Sequence, residues 1–178
     1  MENIRLATEN DFEVVAELEA FMSKQNSEGC PYLFKYTKES IPKELYLNEI
    51  SEGNMYVIEV NNNVIGFYWA RVVEIKDDDR IKYQKIYFIY SIVIKQEFIG
   101  KGYGKKLFNH IEKEAKIKGC KTIELNVYEY NKKAKEFYKK AGMEEKYTVM
   151  KKTITWHYSK YGIYLSIMEE NYAKHSNW

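Results

Sequence analysis

Apolar positions along the first half of the chain change period several times, and each change marks an element. Residues 4–6 form a short extended run, and Thr8, three residues ahead of Asp11, offers a helix N-cap. Val14, Val15, Leu18 and Phe21 then recur at helical spacing, so the chain begins strand, then helix. A second helix is expected from about Ser40, with Pro42 in its first turn and Leu45, Leu47 and Ile50 following. Residues 23–37 between the two read as a long loop containing Tyr and Gly, the kind of segment that often lines a site. Residues 55–60 and 64–72 are rich in β-branched and aromatic side chains. They flank Asn61, Asn62 and Asn63, which tolerate positive φ, and so predict a β-hairpin.

In the second half, residues 77–80 (Asp-Asp-Asp-Arg) mark a turn, and residues 85–94, apolar almost throughout, predict a strand buried on both faces. Gly100 to Gly104 precede an amphipathic helix with Leu107, Phe108, Ile111 and Ala115 on one side, ending at Gly119. Ile123, Leu125 and Val127 alternate in a strand over residues 121–127. A helix over residues 131–140 then carries Ala134, Phe137 and Tyr138 on one side and closes at Gly142. Residues 147–154 read as a further strand. This order predicts an α/β (α+β) fold, with one domain over residues 1–155. The Tyr-rich stretch 156–178 extends it, with weak periodicity.

Composition narrows the function. Of the 178 residues 45% are apolar and 30% charged, enough of each for a buried core and a solvated surface. The 28 Lys and Arg against 26 Asp and Glu leave a net charge of +2, so the strong positive field of a general nucleic-acid binder is missing. Any anion must therefore be held by a local site. Cys30 and Cys120 have no paired spacing, which suits reduced thiols in a cytoplasmic protein, and His110, His157 and His175 share no ligand spacing, so no metal is expected. The chain shows neither an apolar leader nor a run near the roughly 18 apolar residues of a membrane span.

The local site is visible at residues 100–106. Gly100, Gly102 and Gly104 alternate directly before a helix, so the backbone can approach an anion closely while the helix N-terminus presents unpaired N–H groups. Lys101, Lys105 and Lys106 add positive charge. The loop lacks the Gly-Lys-Ser/Thr end of a P-loop and the spacing of a dinucleotide fingerprint. A diphosphate of another kind fits.

Residues 92–143 resemble the core of the GNAT superfamily of N-acetyltransferases. They carry Gly102-Tyr103-Gly104 and then Asn131, Ala134, Phe137, Tyr138, Gly142 and Met143, in the family order and at fitting separations. Ile99 departs from the pattern where Arg or Gln is usual, and Met143 where Phe is common. The resemblance implies a mixed, mostly antiparallel sheet flanked by helices, with acetyl-coenzyme A as co-substrate. It also implies that the backbone of Ile92, Val93 and Ile94 pairs with the pantetheine arm and that Gly100, Lys101, Gly102, Gly104 and Lys105 hold the pyrophosphate. Asn131 would contact the cofactor, and the Tyr138 hydroxyl would lie beside the sulfur.

Acetyl transfer needs a neutral nitrogen, yet an alkyl amine is neutral in only about one molecule per 10³ at pH 7. A base is required, and the strand over residues 85–94 holds neither Asp nor Glu, leaving Glu74, Tyr90 or a water chain as candidates. Tyr138 is the expected acid toward the departing thiolate. Direct transfer in a ternary complex is favoured over a covalent intermediate on Cys120, which has no His nearby in sequence. A small-molecule or peptide amine is the expected partner, with Glu28, Tyr32, Phe34 and Tyr36 walling its site and no nucleic acid or membrane involved. A binding module of the same fold that has lost turnover is the alternative, and a homodimer through the C-terminal stretch stays open.

Overall fold

Five strands build the sheet: β1 (Glu2–Leu6), β2 (Met55–Val60), β3 (Asn63–Ile75), β4 (Gln84–Ile94) and β5 (Thr122–Leu125), hydrogen-bonded in that order. The first three pairings are antiparallel, and β4 with β5 is parallel. The parallel step demands a crossover, and α3 (Tyr103–Ile117) supplies it. The remaining helices are α1 (Phe12–Gly29), α2 (Lys43–Ser51) and α4 (Lys132–Lys140). The computed structural model describes residues 2–76, 79–154 and the backbone of 156–159 and 162–165. It divides into two compact units, Met1–Met143 and Glu144–Trp178. The mixed sheet with flanking helices is the arrangement that the sequence implies.

Side chains alternating along the strands feed two cores. One face of the sheet sends Tyr68, Tyr87 and Ile89 against Leu107, Phe108 and Ile111 of α3, with Phe137 and Tyr138 of α4 packed beside them. The other sends Met55, Val57, Phe67 and Val93 against Val15 and Leu18 of α1 and Tyr46 of α2. The layers are therefore helix, sheet, helix.

The β2–β3 hairpin turns on Asn61 and Asn62, whose φ of 50° and 64° give the two-residue turn the twist that flanking strands require. Entry to α1 is fixed by Asp11, whose Oδ2 accepts from the Thr8 amide and hydroxyl, both at 2.8 Å. The Arg5 guanidinium clamps the same carboxylate from β1 at 2.7 and 2.9 Å.

Three expectations change. The loop expected at residues 23–37 is helical up to Gly29, since Ser23 to Ser27 contain no breaker and Phe21, Met22, Gln25 and Asn26 have tertiary work to do at a cleft. Strand β3 runs on to Ile75 rather than ending at Val72, because Val73, Glu74 and Ile75 find partners in Ile86, Lys85 and Gln84. Residues 147–154 carry no strand. Their alternation supplies propensity, but a strand needs an edge to pair with. In that second unit the pairing instead joins β6 (Trp156–Ser159) to β7 (Gly162–Leu165), inside the stretch where periodicity is weak. The Asp77 and Asp78 part of the expected turn, and the end of the Tyr-rich stretch from residue 166, lie outside the described residues.

Candidate active site

Strands β4 and β5 stay paired only from Ile86–Thr122 to Ile89–Leu125. Beyond Ile89 the β4 edge facing β5 has no strand partner among the described residues. On its other side β4 continues against β3, but with an irregularity: Trp69 lies opposite Ser91 and Ala70 opposite Ile89, so Tyr90 is an extra, bulged residue. A bulge bends its strand and raises the local twist, which is how β4 parts from β5 at this point.

The parting opens a cleft of about 250 Å³. Its walls are β4 from Ile89 to Ile94, the stretch from Leu125 to Tyr128, α1 through Phe21, Met22, Gln25 and Asn26, and α4 through Ala134 and Tyr138. Tyr130 spans one end: its hydroxyl donates to Asn26, and its ring lies so close to Gly29 that a Cβ there would meet it at 2.2 Å. Only glycine lets the end of α1 rest on that ring.

Five of the expected site residues meet in this cleft: Ile92, Val93, Ile94, Asn131 and Tyr138. Asn131 has a second task, since its Oδ1 caps α4 by accepting from the Ala134 amide at 3.1 Å. That leaves the carboxamide nitrogen as the donor for anything in the cleft. The Tyr138 phenol is pushed up to about 12 by burial and so stays protonated at any physiological pH.

Gly100, Lys101, Gly102, Gly104 and Lys105 form the adjoining loop and first turn of α3, joined to the cleft through Ile99, which lines it. Gly100 and Gly102 have φ of 82° and 88°, a region costly to any residue with a Cβ, and a Cβ on either would meet nothing within 4 Å. Both glycines therefore border open space. Gly102 caps α3 without a side chain, so the amides of Tyr103, Gly104 and Lys105 start the helix with no intrahelical acceptor. A Cβ on Gly104 would instead meet the Phe137 ring of α4 at 3.6 Å. Lys101 lies over the Phe98 ring at 5.1 Å, and Lys106 pairs with Glu2.

Other expected residues fall elsewhere. Glu74 is at the far end of β3, 3.8 Å from Lys85 and outside the cleft wall. Glu28 is exposed beside Lys24 on α1, so the acidic wall expected from it is not in the cleft. Of the expected aromatic wall, Phe34 packs edge-on to cleft-lining Tyr128 at 4.9 Å, while Tyr32 and Tyr36 are exposed. Tyr90 lines the cleft and stacks on Trp69 at 4.7 Å, with the Arg71 guanidinium over both rings.

Two polar residues escape the sequence reading. Ser91 lines the cleft and is 5% exposed, and behind it stands Glu19 of α1, 6% exposed, with its Oε1 unpartnered. Burial pushes the Glu19 carboxyl up, and a hydrogen bond from Ser91 offsets part of that rise. The available signal is an acid on the inward stripe of an amphipathic helix, four residues after Val15 and three before Met22. Among the described residues no group of three His, Cys, Asp or Glu is arranged to hold a metal, and no helix is long and apolar enough to cross a membrane.

The chain belongs to the Acetyltransferase (GNAT) family, whose sequence profile matches residues 16–143. It is 35% identical over 104 residues to the uncharacterized N-acetyltransferase MJ1207 of Methanocaldococcus jannaschii, a match covering 58% of this chain and 45% of that one. The chain thus spans less than half the length of that relative. In three dimensions it resembles a mutant form of the BH1408 protein from Bacillus halodurans, with a TM-score of 0.81 at 21% identity, covering 86% of this chain and 99% of that one. It also resembles a predicted acetyltransferase of Clostridium acetobutylicum, determined with acetyl-CoA, with a TM-score of 0.65 at 17% identity, covering 86% and 96%.

Proposed function

We propose that the protein moves an acetyl group from acetyl-CoA to a primary amine of a small molecule or peptide, by direct attack in a ternary complex. The observation that carries this is the β4 edge from Tyr90 to Ile94, without a strand partner among the described residues, beside two positive-φ glycines and the first-turn amides of α3. A pantetheine arm has amides that such an edge can pair, and a diphosphate has the charge that a helix N-terminus favours. In this reading Gly100, Lys101, Gly102, Gly104 and Lys105 hold the diphosphate, Ile92, Val93 and Ile94 the arm, and the Asn131 carboxamide nitrogen a further polar group. Ile99 costs the site one cationic contact, but the main-chain donors do not depend on that side chain.

Nucleophilic attack on a thioester builds negative charge on the carbonyl oxygen, and a β4 main-chain N–H, Ile92 in our reading, is the donor for it. As the C–S bond breaks, charge passes to sulfur beside the Tyr138 hydroxyl. With its phenol at about 12 and an ordinary thiol near ~8.5, full proton transfer from Tyr138 would be uphill by about 5 kcal/mol. Tyr138 therefore acts as a hydrogen-bond donor that stabilises the thiolate, and the proton that finally reaches sulfur comes from the attacking nitrogen. Burial pushes the Cys120 thiol up as well, so it is a poor nucleophile, in keeping with direct transfer. Two free cysteines suit the reducing cytoplasm we assign to the protein.

Calorimetry with coenzyme A, followed by thiol release from acetyl-CoA with a panel of lysine, spermidine, glucosamine and a peptide with a free N-terminus, tests the proposal. Micromolar binding with turnover of at least one amine is expected. No affinity for coenzyme A would overturn it, and binding without turnover of any amine would reduce the protein to a cofactor-binding module.

A further inference from the structure

The base that deprotonates the acceptor has no carboxylate on β4 to draw on, and the Glu74 considered from sequence lies outside the cleft. The opposite wall supplies one. Glu19 shares the inward stripe of α1 with Met22 and Asn26, both of which line the cleft. Ser91, immediately after the bulged Tyr90, lines the cleft and hydrogen-bonds Glu19, which does not line it. An unpaired carboxylate oxygen inside a protein costs several kcal/mol if it serves only structure. Among the described residues Ser91 is its one polar partner, where Arg71, Trp69 and Asn54 together compensate the fully buried Glu49.

The geometry points to Ser91 and Glu19 as a two-member proton relay for the acceptor amine, with Ser91 touching the substrate and Glu19 acting through it as a positioning residue. The relay rests on the acetyl-transfer reading above. An ammonium group at Ser91 gives one proton to Oγ while the Ser91 proton passes to Glu19. The neutral nitrogen attacks the acetyl carbon, the C–N bond forms and the C–S bond breaks. The second nitrogen proton goes to the thiolate sulfur, and Glu19 returns its proton to water. The acceptor class that follows is a primary amine that arrives charged, entering from the α1 side of the cleft while Tyr138 attends the sulfur from the α4 side.

Burial raises the Glu19 value, and the hydrogen bond from Ser91 takes back part of that rise. The titratable groups on neighbouring elements do not contribute: Arg71 of β3 is bound to Glu49 of α2, Asp11 to Arg5, Tyr46 of α2 donates to the Thr8 carbonyl, and Tyr90 of β4 stacks on Trp69. A relay base works only when deprotonated, so turnover falls as pH drops through the Glu19 value. A hydrogen bond to a carboxylate favours its charged form, so removing the Ser91 donor moves that fall to higher pH.

The test is a pH profile of kcat/KM for acetyl-CoA and the best amine of the panel, in wild type, Glu19→Gln and Ser91→Ala, with coenzyme A calorimetry on each. Glu19→Gln, nearly isosteric, should lose about a hundredfold at pH 7 and approach wild type at high pH, where the amine is already neutral. Ser91→Ala should lose activity and shift the acid limb upward, and both variants should bind coenzyme A like wild type. A Glu19→Gln enzyme with wild-type rate and limb overturns the relay, as does a loss that is uniform across pH. If the wild type binds coenzyme A yet turns over no amine, the acetyl-transfer reading fails and the relay with it. Normal turnover with a failed relay leaves that reading standing. A Glu19→Gln chain that unfolds leaves Ser91→Ala to decide, and an unshifted limb there overturns the relay.

Discussion

The start of α3 and the β4 edge offer main-chain groups, with the Asn131 and Tyr138 side chains beside them, whereas the α1 and α2 side is built on side chains gathered from distant parts of the chain. On the first side stand the amides that open α3, two glycines at positive φ and the free β4 edge. On the second stand Glu19, Glu49, Trp69, Arg71 and Ser91, which come from four different elements. Backbone amides hold a diphosphate whatever side chains surround them, so they suit a co-substrate shared across a family. Side chains from four elements can change one at a time, so they suit whatever distinguishes one acceptor from another.

The sharpest way to break this division is to damage the side-chain side and ask whether the main-chain side notices. Glu49 is fully buried and accepts from Asn54 at 3.0 Å, Trp69 at 2.8 Å and Arg71 at 2.8 Å. Arg71→Ala strands that charge and should cost about 3 kcal/mol in urea unfolding, the low end of the range because Arg71 is itself partly exposed. Adding Glu49→Gln should recover part of the loss, since a neutral amide needs no counter-charge. Coenzyme A affinity in the refolded double variant should equal that of wild type. A parallel fall in affinity would mean the two sides are one unit.

On the other side, Tyr138→Phe removes the proposed donor to sulfur without a cavity, because Phe108 and Phe137 still pack the ring. It should lower kcat about a hundredfold, roughly 2.7 kcal/mol, with little change in KM for acetyl-CoA. Steady-state kinetics at saturating amine read this directly. A wild-type kcat would remove Tyr138 from the chemistry and leave it as core.

The same division explains what can be read from the chain alone. The glycine triplet, the Asn131 cap and the Tyr138 helix lie in one continuous stretch and signal through local backbone needs, so order and spacing disclose them. Ser91 and Glu19 touch only after β4 packs on α1, and nothing near either in sequence names the other. The bulge at Tyr90 is equally hidden, because it is a property of the register between β3 and β4 and not of either strand. The first part of the loop expected at residues 23–37 gives way to helix for a related reason: α1 is prolonged to Gly29 by contacts with Tyr130, about a hundred positions away.

Gly102→Ala sharpens the main-chain half of the comparison. Its φ of 88° is costly for Ala, yet a Cβ meets no neighbour, so the protein should fold with a penalty of about 1–2 kcal/mol. Coenzyme A binding should weaken about tenfold, because the new methyl projects into the space assigned to the diphosphate. Calorimetry reads the affinity and thermal melting the fold. Unchanged affinity would move the diphosphate away from this loop.

The smallest effect concerns two acids on the α1 side, Asp11 and Glu19, which should titrate with opposite sign. Burial alone would raise the Asp11 carboxyl, but hydrogen bonds from Arg5 and from the Thr8 amide and hydroxyl outweigh it and hold the group below its ordinary value. The folded protein then binds this proton less tightly than the unfolded chain. The stabilisation is complete above about pH 4 and is lost as pH falls through the depressed folded value. Arg5 keeps 31% of its side-chain surface exposed, so solvent screening limits the gain to about 1 kcal/mol. Asp11→Asn should therefore melt lower than wild type at pH 7, with the gap closing toward pH 3. Glu19 is raised, so its folded form binds the proton more tightly and the charged form weighs on the fold as pH rises through the folded value. Glu19→Gln should melt higher than wild type at pH 7, with that advantage shrinking toward acid. Melting curves of both variants between about pH 3 and pH 8 give two slopes. Opposite signs identify Asp11 as an anchor and Glu19 as a group kept at a cost to stability, whereas equal signs would make Glu19 an anchor too and leave the α1 wall without a working acid.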